Sequence, residues 1–370
     1  IALNNRQSFI DFVEKISKSN KNNLDWWVEG PASRNTYASP LFHYFCSLTL
    51  LRQLVDSNIP IICITVDSKA LKKIIRAYLA NQHLKTKVVL QRSFKSRLKG
   101  CVRPVALLVN KAIIHWILKI SARLTRKNKI PVDQSIDVII DTFLFPGYLE
   151  EDRTYTGLWG ALTPLEQKAV YFVPNLYGFS LKELVFIFRR LRSFGERFLI
   201  KEDFLRFSDY VYAFGHAWRI FNLNFDDCSH NTLDFTPLIK EEIYSFKEFP
   251  SAIIALLNYR FAKRLKESGT SIQTVINRFE NQVIDKAWNA GFNRYYPEST
   301  RIGYQGFIAS EHYLCMYPTK FENECGILPS VTAVIGKGFL SSRNEFFPEM
   351  TAITAPALRF SNVWDQDLFS

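Results

Sequence analysis

Methionine is scarce and cysteine is unpatterned: the 370 residues hold 2 Met and 6 Cys. The cysteines stand at 46, 63, 101, 228, 315 and 325, with no CxxC and no His/Cys cluster at zinc-ligand spacing. That excludes a zinc module, and so sparse a set of thiols fits a reduced, cytosolic compartment. No Walker loop, GxGxxG, HExxH or GxSxG occurs. P-loop NTPases, simple dehydrogenases and α/β-hydrolases therefore lack their defining residues. No Asp-X-Asp pair stands in a suitable loop, which predicts no metal requirement. There is no uncharged apolar run of about 18 residues, so no transmembrane span is expected. Internal repeats and low-complexity tracts are absent too.

What is present is apolar, aromatic and basic. Hydrophobic residues make up 47% and aromatics 15% of the chain, enough for a folded protein with more than one core. The formal net charge is +12, which calls for a polyanionic partner: nucleic acid, an anionic membrane or a phosphorylated substrate. The charge is local. Residues 91–132 hold eleven Lys or Arg and no Asp or Glu. Inside that segment, 102–120 shows apolar residues at helical spacing between basic flanks. Such a helix suits a membrane interface; a core helix with a solvated basic face has the same pattern. No nucleic-acid-binding motif accompanies the basic run, so nucleic acid is not expected as a partner.

Short β-branched runs alternate with helical stretches. Strands are expected at 24–29, 59–67, 86–91, 135–143, 169–176, 299–307, 330–338 and 350–358. Helices are expected near the N-terminus, at 39–56, after 67, through much of 179–222, at 251–267 and at 271–290. The alternation predicts an α/β fold with mostly parallel sheets. Residues 223–250 lack periodicity, which puts a domain boundary near 245/246. The reading is a Rossmann-like domain over 1–245 and a second over 246–370. The latter is short for a full domain, so further modules are expected after it.

Polar residues at expected strand ends are the candidate site, because ligands of open α/β sheets lie there. Ser33, Arg34 and Asn35 follow the first expected strand; they suit an anion at a helix start, or ordinary capping. Asp141 ends a strand and leads into an aromatic loop with Glu151. Asp203 enters a helix as a nucleophile, a base or an acid favoured by the helix dipole. Glu280 and Gln282, with Gln305 nearby, suit sugar hydroxyls or acid–base work. Lys337 and Arg359 stand at later strand ends.

The ordered series ENQVIDKAWNAG, STRIGYQG, SVTAVIGKG and APALRF, together with the loop after Asp141 and KEDFL, resembles the bacterial O-antigen and surface-carbohydrate glycosyltransferases. One departure is Gly306-Phe307 where members often carry His; the next His here is His312. The resemblance implies a GT-B-like pair of Rossmann-like domains facing a cleft. It points further to the retaining β-Kdo transferases. From it follow a CMP-β-Kdo donor as substrate rather than a bound cofactor, a lipid-linked glycan acceptor, and a site at the inner face of the inner membrane. It also implies a carboxylate nucleophile among Asp141, Asp203 and Glu280, and donor or acceptor contacts from Ser33, Arg34, Asn35, Glu151, Gln282, Gln305, Lys337 and Arg359. The alternatives are a UDP- or GDP-sugar donor, or a basic nucleic-acid-binding or scaffold protein.

Overall fold

The computed structural model describes residues 1–91, 94–126, 135–147, 155–193 and 197–360. They form two compact units that interleave along the chain. The first comprises Ile1–Val109, His216–Ala252 and Ser310–Cys315; the second comprises Asn110–Gly215, Ile253–Ala309 and Met316 onward.

In the first unit, helices surround a small parallel pair, β1 (Cys63–Val66) and β2 (Lys87–Leu90). Phe9 and Phe12 of the helix Arg6–Lys18 meet Phe45 and Phe235, with centroids 4.8 to 5.6 Å apart for the Phe9–Phe45, Phe12–Phe45, Phe12–Phe235 and Phe45–Phe235 pairs. Ser68 caps the helix Lys69–Asn81 by accepting from Leu71 N at 3.0 Å. A two-residue antiparallel pair, β5 (Ser229–His230) and β6 (Leu233–Asp234), completes the strands described in this unit.

The expected strand at 24–29 is a helix, Leu24–Trp27, followed by a second short helix, Gly30–Ser33. The cause is local. Asn23 caps the first helix by accepting from Asp25 N, and Pro31 sits near the start of the second, where its fixed φ is welcome. Trp26, Trp27 and Val28 are all buried in succession, which the alternating faces of a strand in a half-exposed sheet do not allow.

The second unit carries a six-stranded, all-parallel sheet. Its strands are β3 (Ser135–Leu144), β4 (Val170–Leu176), β7 (Ser271–Arg278), β8 (Thr300–Gln305), β9 (Val331–Ile335) and β10 (Ala352–Ala355). The order is β10-β9-β8-β7-β3-β4, a Rossmann-like, doubly wound arrangement. β7 falls where a helix is expected over 271–290. Its eight residues, SIQTVINR, alternate in burial, and the helix begins only at Val283 and runs to Tyr295.

That strand joins the two expected halves. β3 and β4 precede the expected 245/246 boundary and β7 to β10 follow it, yet all six lie in one sheet. The first unit, among the described residues, holds only the two short pairs. The chain runs from β3 outward to β4, then returns to β7 on the other side of β3. The direction of winding reverses at β3/β7, and ligand crevices of doubly wound sheets open at the carboxyl ends of such a pair.

The division between the two units falls within the helix Phe94–Thr125, after Val109. Leu118 and Ala122 pack against Leu144, Leu184, Phe188 and Ile200. Contrary to the sequence expectation, its Val105–Thr125 stretch is long and apolar enough to cross a membrane by length and composition.

Gly303 tests the seating of β8. A Cβ there would stand 2.7 Å from Cγ of Phe279 and 2.7 Å from Cγ of Pro329. Overpacking of this kind costs about 1–3 kcal/mol. The variant Gly303→Ala is expected to unfold at lower urea concentration by that amount; an unchanged midpoint would contradict the packing of β8 on Phe279.

Candidate functional site

Asp141 lies in β3 at the winding switch and is fully buried. Its register partner on β4 is Val173, and Asn175 stands two residues further along, on the same face. Asn175 Nδ2 donates to Asp141 Oδ1 at 2.5 Å. Lys201 Nζ in turn donates to Asn175 Oδ1 at 2.5 Å and to Asn258 Oδ1 at 2.9 Å. Asn258 comes from the helix Phe249–Glu267. A carboxyl and an ammonium are thus bridged by one amide, all three buried.

β7 supplies the other side. Ile140 pairs with Ile276, so Asp141 and Asn277 are the next residues in the row. Beyond the strand end, Glu280 accepts hydrogen bonds from the Arg278 guanidinium and the Gln282 amide. Asn281 sits at φ 56°, in the left-handed region that Asn tolerates. The turn is held by Asp285, whose Oδ2 accepts from Glu280 N and Gln282 N, both at 3.0 Å. Asp285 thereby fills the N-terminus of the helix Val283–Tyr295 with an internal carboxylate. The Arg278 guanidinium also lies over the rings of Phe143 and Phe307, 5.4 and 5.9 Å from their centroids.

Burial is the main force on the acids. It pushes Asp141 up to about 8, helped by the charge of Asp285 and opposed by Lys201, Arg278 and the Asn175 hydrogen bond. It pushes Asp285 up to about 7, helped by Glu280 and opposed by the backbone hydrogen bonds and Arg278. Burial also lowers Lys201, against the pull of Glu202 and Asp141. Two carboxyls raised toward neutrality suit an acid–base pair working near pH 7.

Polar capacity is left unused around them. Asp141 Oδ2, Asn258 Nδ2, Asn277 Nδ2, Asn281 Oδ1 and Gln305 Oε1 are buried with no hydrogen-bond partner among the described residues. Such atoms are costly unless water or a ligand meets them. Gln305 Nε2 donates to Met316 O at 3.1 Å, which aims its free oxygen. Beside the site, the buried pair Lys286–Glu322 and the bond from Asn281 Nδ2 to Glu322 (3.1 Å) fix the start of the helix.

Of the residues expected from sequence, Asp141, Glu280, Gln282 and Gln305 lie at the carboxyl ends of β3, β7 and β8. Asp203 does not join them: Arg192 Nη2 holds both its oxygens at 2.9 Å, and the residue of that segment that reaches the network is Lys201. Ser33, Arg34 and Asn35 belong to the first unit, at the end of a four-residue helix rather than between a strand and a helix. The Ser33 and Asn35 side chains serve the loop: Ser33 Oγ donates to Gly30 O and accepts from Asn35 N, and Asn35 Oδ1 accepts from Tyr37 N and Ala38 N. Lys337 and Arg359 are exposed, in single turns after β9 and β10. Glu151 lies outside the described residues. Sequence reasoning missed Asn175, Lys201, Asn258, Arg278 and Asp285. Asn175 had a signal, a lone amide inside an apolar strand; Arg278 and Asp285 were hidden by the helix assigned over them.

The first unit has its own buried charged cluster. His216 bonds Asp25 through Nδ1 at 2.7 Å and Glu29 through Nε2 at 2.8 Å, and Arg219 Nε meets Asp25 at 2.7 Å. Burial works against a charged imidazole, but the bonds and charges of Asp25 and Glu29 outweigh it and raise the pKa. The cluster ties residues 216–219 to 25–29, which is a structural task. Removing one member of a buried ionic set leaves the others uncompensated, at about 3–5 kcal/mol. His216→Ala is expected to lose that much in urea unfolding, and a loss below about 1 kcal/mol would show the cluster to be dispensable.

A carboxyl at about 8 when folded and about 3.9 when unfolded takes up a proton on folding. Its stabilising share is full below the unfolded value and is lost as pH rises through about 8. Melting temperatures of the wild type should therefore fall from pH 5 toward pH 8.5, and Asp141→Asn, neutral throughout, should lose part of that fall. Equal pH slopes for the two proteins would contradict the assignment.

No protein-family model matches the chain, and no curated protein or solved structure matches it.

Proposed function

We propose that the protein is a glycosyltransferase that takes a nucleotide-activated sugar at the carboxyl ends of β3 and β7. The observation that carries this reading is the buried set of Asp141, Asp285 and Glu280 among amides that each keep an unpartnered atom at the winding switch. Amides and carboxylates with spare donors and acceptors suit sugar hydroxyls, and acid–base groups near neutrality suit glycosyl transfer. Glu280, held by Arg278 and Gln282, is the carboxylate we assign to the anomeric carbon. Asp141 and Asp285 hold the protons. Arg278 is the guanidinium for an anionic donor.

In its finer form the proposal follows the sequence resemblance. The donor is CMP-β-Kdo, the transfer is retaining, the acceptor is a lipid-linked glycan, and the protein works at the cytoplasmic face of an anionic inner membrane. The arrangement is GT-B-like, with the unit of β1 and β2 as a reduced second Rossmann-like domain. Retention through a covalent adduct needs a carboxylate nucleophile, and Kdo brings its own carboxylate for Arg278 to pair with.

Thermal unfolding with CMP, UDP and GDP at millimolar concentration tests the reading, because a ligand of the folded state raises its apparent stability. A shift with CMP alone supports the CMP-sugar form. CMP-Kdo should then leave an adduct visible by mass spectrometry, absent in Glu280→Gln. A shift with UDP or GDP keeps the transferase and discards Kdo. No shift with any nucleotide overturns the proposal.

A further inference from the structure

A cavity lies between two helices of the second unit. The helix Phe94–Thr125 and the helix Phe207–Phe214 enclose a cavity of about 440 Å³. Its walls include His115, Trp116, Ile120, Tyr210, Val211 and Phe214. Its walls are chiefly apolar, and besides Lys119 and Arg123 they carry two polar groups, Tyr210 and His115. The Tyr210 hydroxyl is buried with no hydrogen-bond partner among the described residues. The His115 ring is 7% exposed and meets the rings of Tyr210 and Phe214. Burial, with Lys201 and Lys111, pushes its pKa down to about 3, so it is neutral.

The surface around the cavity is apolar too. Val105, Val109, Ile113, Trp116, Ile120 and Leu124 are each half or more exposed. Their spacing of four, four, three, four and four makes one stripe along the helix. Phe207 and Val211 extend it on the neighbouring helix, both more than half exposed, and the Phe207 ring lies 6.1 Å from that of Trp116. Only 22% of the apolar window in Val105–Thr125 is buried, far too little for a core helix. The opposite face, with Leu118 and Ala122, is packed into the core of the second unit, the arrangement of a helix suited to lie along an interface rather than to cross it.

Charge selects the medium. Arg123 lines the cavity and is exposed beside the apolar side chains, while Lys119, also in the wall, donates inward to the carbonyls of Glu202 and Leu205; residues 91–132 carry eleven basic residues and no acidic one. Lys and Arg beside an apolar stripe complement anionic lipid headgroups over hydrocarbon. An acyl ester brings both things that the cavity lacks: a chain for its walls, and a carbonyl to accept from Tyr210.

We propose that this face docks on an anionic bilayer and that the cavity takes one acyl chain of an anionic phospholipid. This deepens the membrane part of the proposed function and is independent of sugar transfer, so it is tested without nucleotide. The full chain is sedimented with phosphatidylglycerol/phosphatidylethanolamine vesicles and with phosphatidylcholine vesicles. Tryptophan quenching by brominated acyl chains is read in parallel. Binding is expected to the anionic vesicles only. It should weaken at least about tenfold in the double variant Trp116→Ser/Phe207→Ser, from the lost apolar burial, with circular dichroism confirming that the variant is folded. Part of the quenching should vanish in Trp116→Phe, and Ala112→Phe, which fills the cavity, should reduce quenching while keeping vesicle binding. No binding to either vesicle overturns the proposal, and so does undiminished binding of the folded double variant. Anionic binding without acyl-chain quenching overturns the chain site.

Discussion

Asp141 stands inside a parallel sheet, out of reach of water, and the surroundings of the second unit answer to that placement. A carboxyl in such a spot either finds a cation or keeps its proton. Here the cation is kept one amide away: Asn175 separates Asp141 from Lys201. Direct pairing would favour both charges; the intervening amide leaves burial in command, and the acid rises to about 8. Lys201 must then be fixed from elsewhere, which explains the otherwise isolated Asn258 in the middle of an apolar helix. The same shortage of water makes Asp285 useful twice, as the cap of a helix and as the second neighbour whose charge pushes on Asp141.

Two of the buried clusters settle the problem of buried charge differently. In the first unit, Asp25, His216, Glu29 and Arg219 touch directly, with hydrogen bonds at 2.7 to 2.8 Å, although burial raises the Glu29 carboxyl. Around Asp141, an amide stands between carboxyl and ammonium, and Asp141 and Asp285 are raised toward neutrality. A directly paired cluster is rigid and chemically quiet. A spaced one can exchange protons with whatever fills its unused hydrogen-bonding positions. That difference, more than the number of acids, is why the functional reading rests on the second unit.

Much of the fold was legible. Runs such as SIDVIIDTF and SVTAVIGKG are β-branched and bounded by turn residues, and they are β3 and β9. The failures share a cause. WWV in 24–29 looks like a strand because its residues are large and apolar, but the cap at Asn23 decides in favour of a helix. SIQTVINR runs without a Gly or Pro into a true helix, so the change of period from two to 3.6 is easily lost. The site was half legible for the same reason. Strand-end acids such as Asp141 and Glu280 are visible in one dimension. Lys201 and Asn258, which complete the network behind Asn175, come from helices far along the chain, and only the fold brings them to the same place.

The position of β7 also bears on how the molecule is made. During synthesis β3 and β4 emerge together and can pair, but the opposite edge of β3 gains its neighbour only after residues 177–270 have followed. Until then a strand of mostly apolar residues, with Asp141 in it, presents an open edge to the cell. Pairings so distant in sequence form slowly, and incompletely assembled parallel sheets are where aggregation begins. A raised acid in an unfinished sheet is solvated and charged. The nascent edge therefore carries a negative charge that disappears only when β7 arrives and closes it off from water.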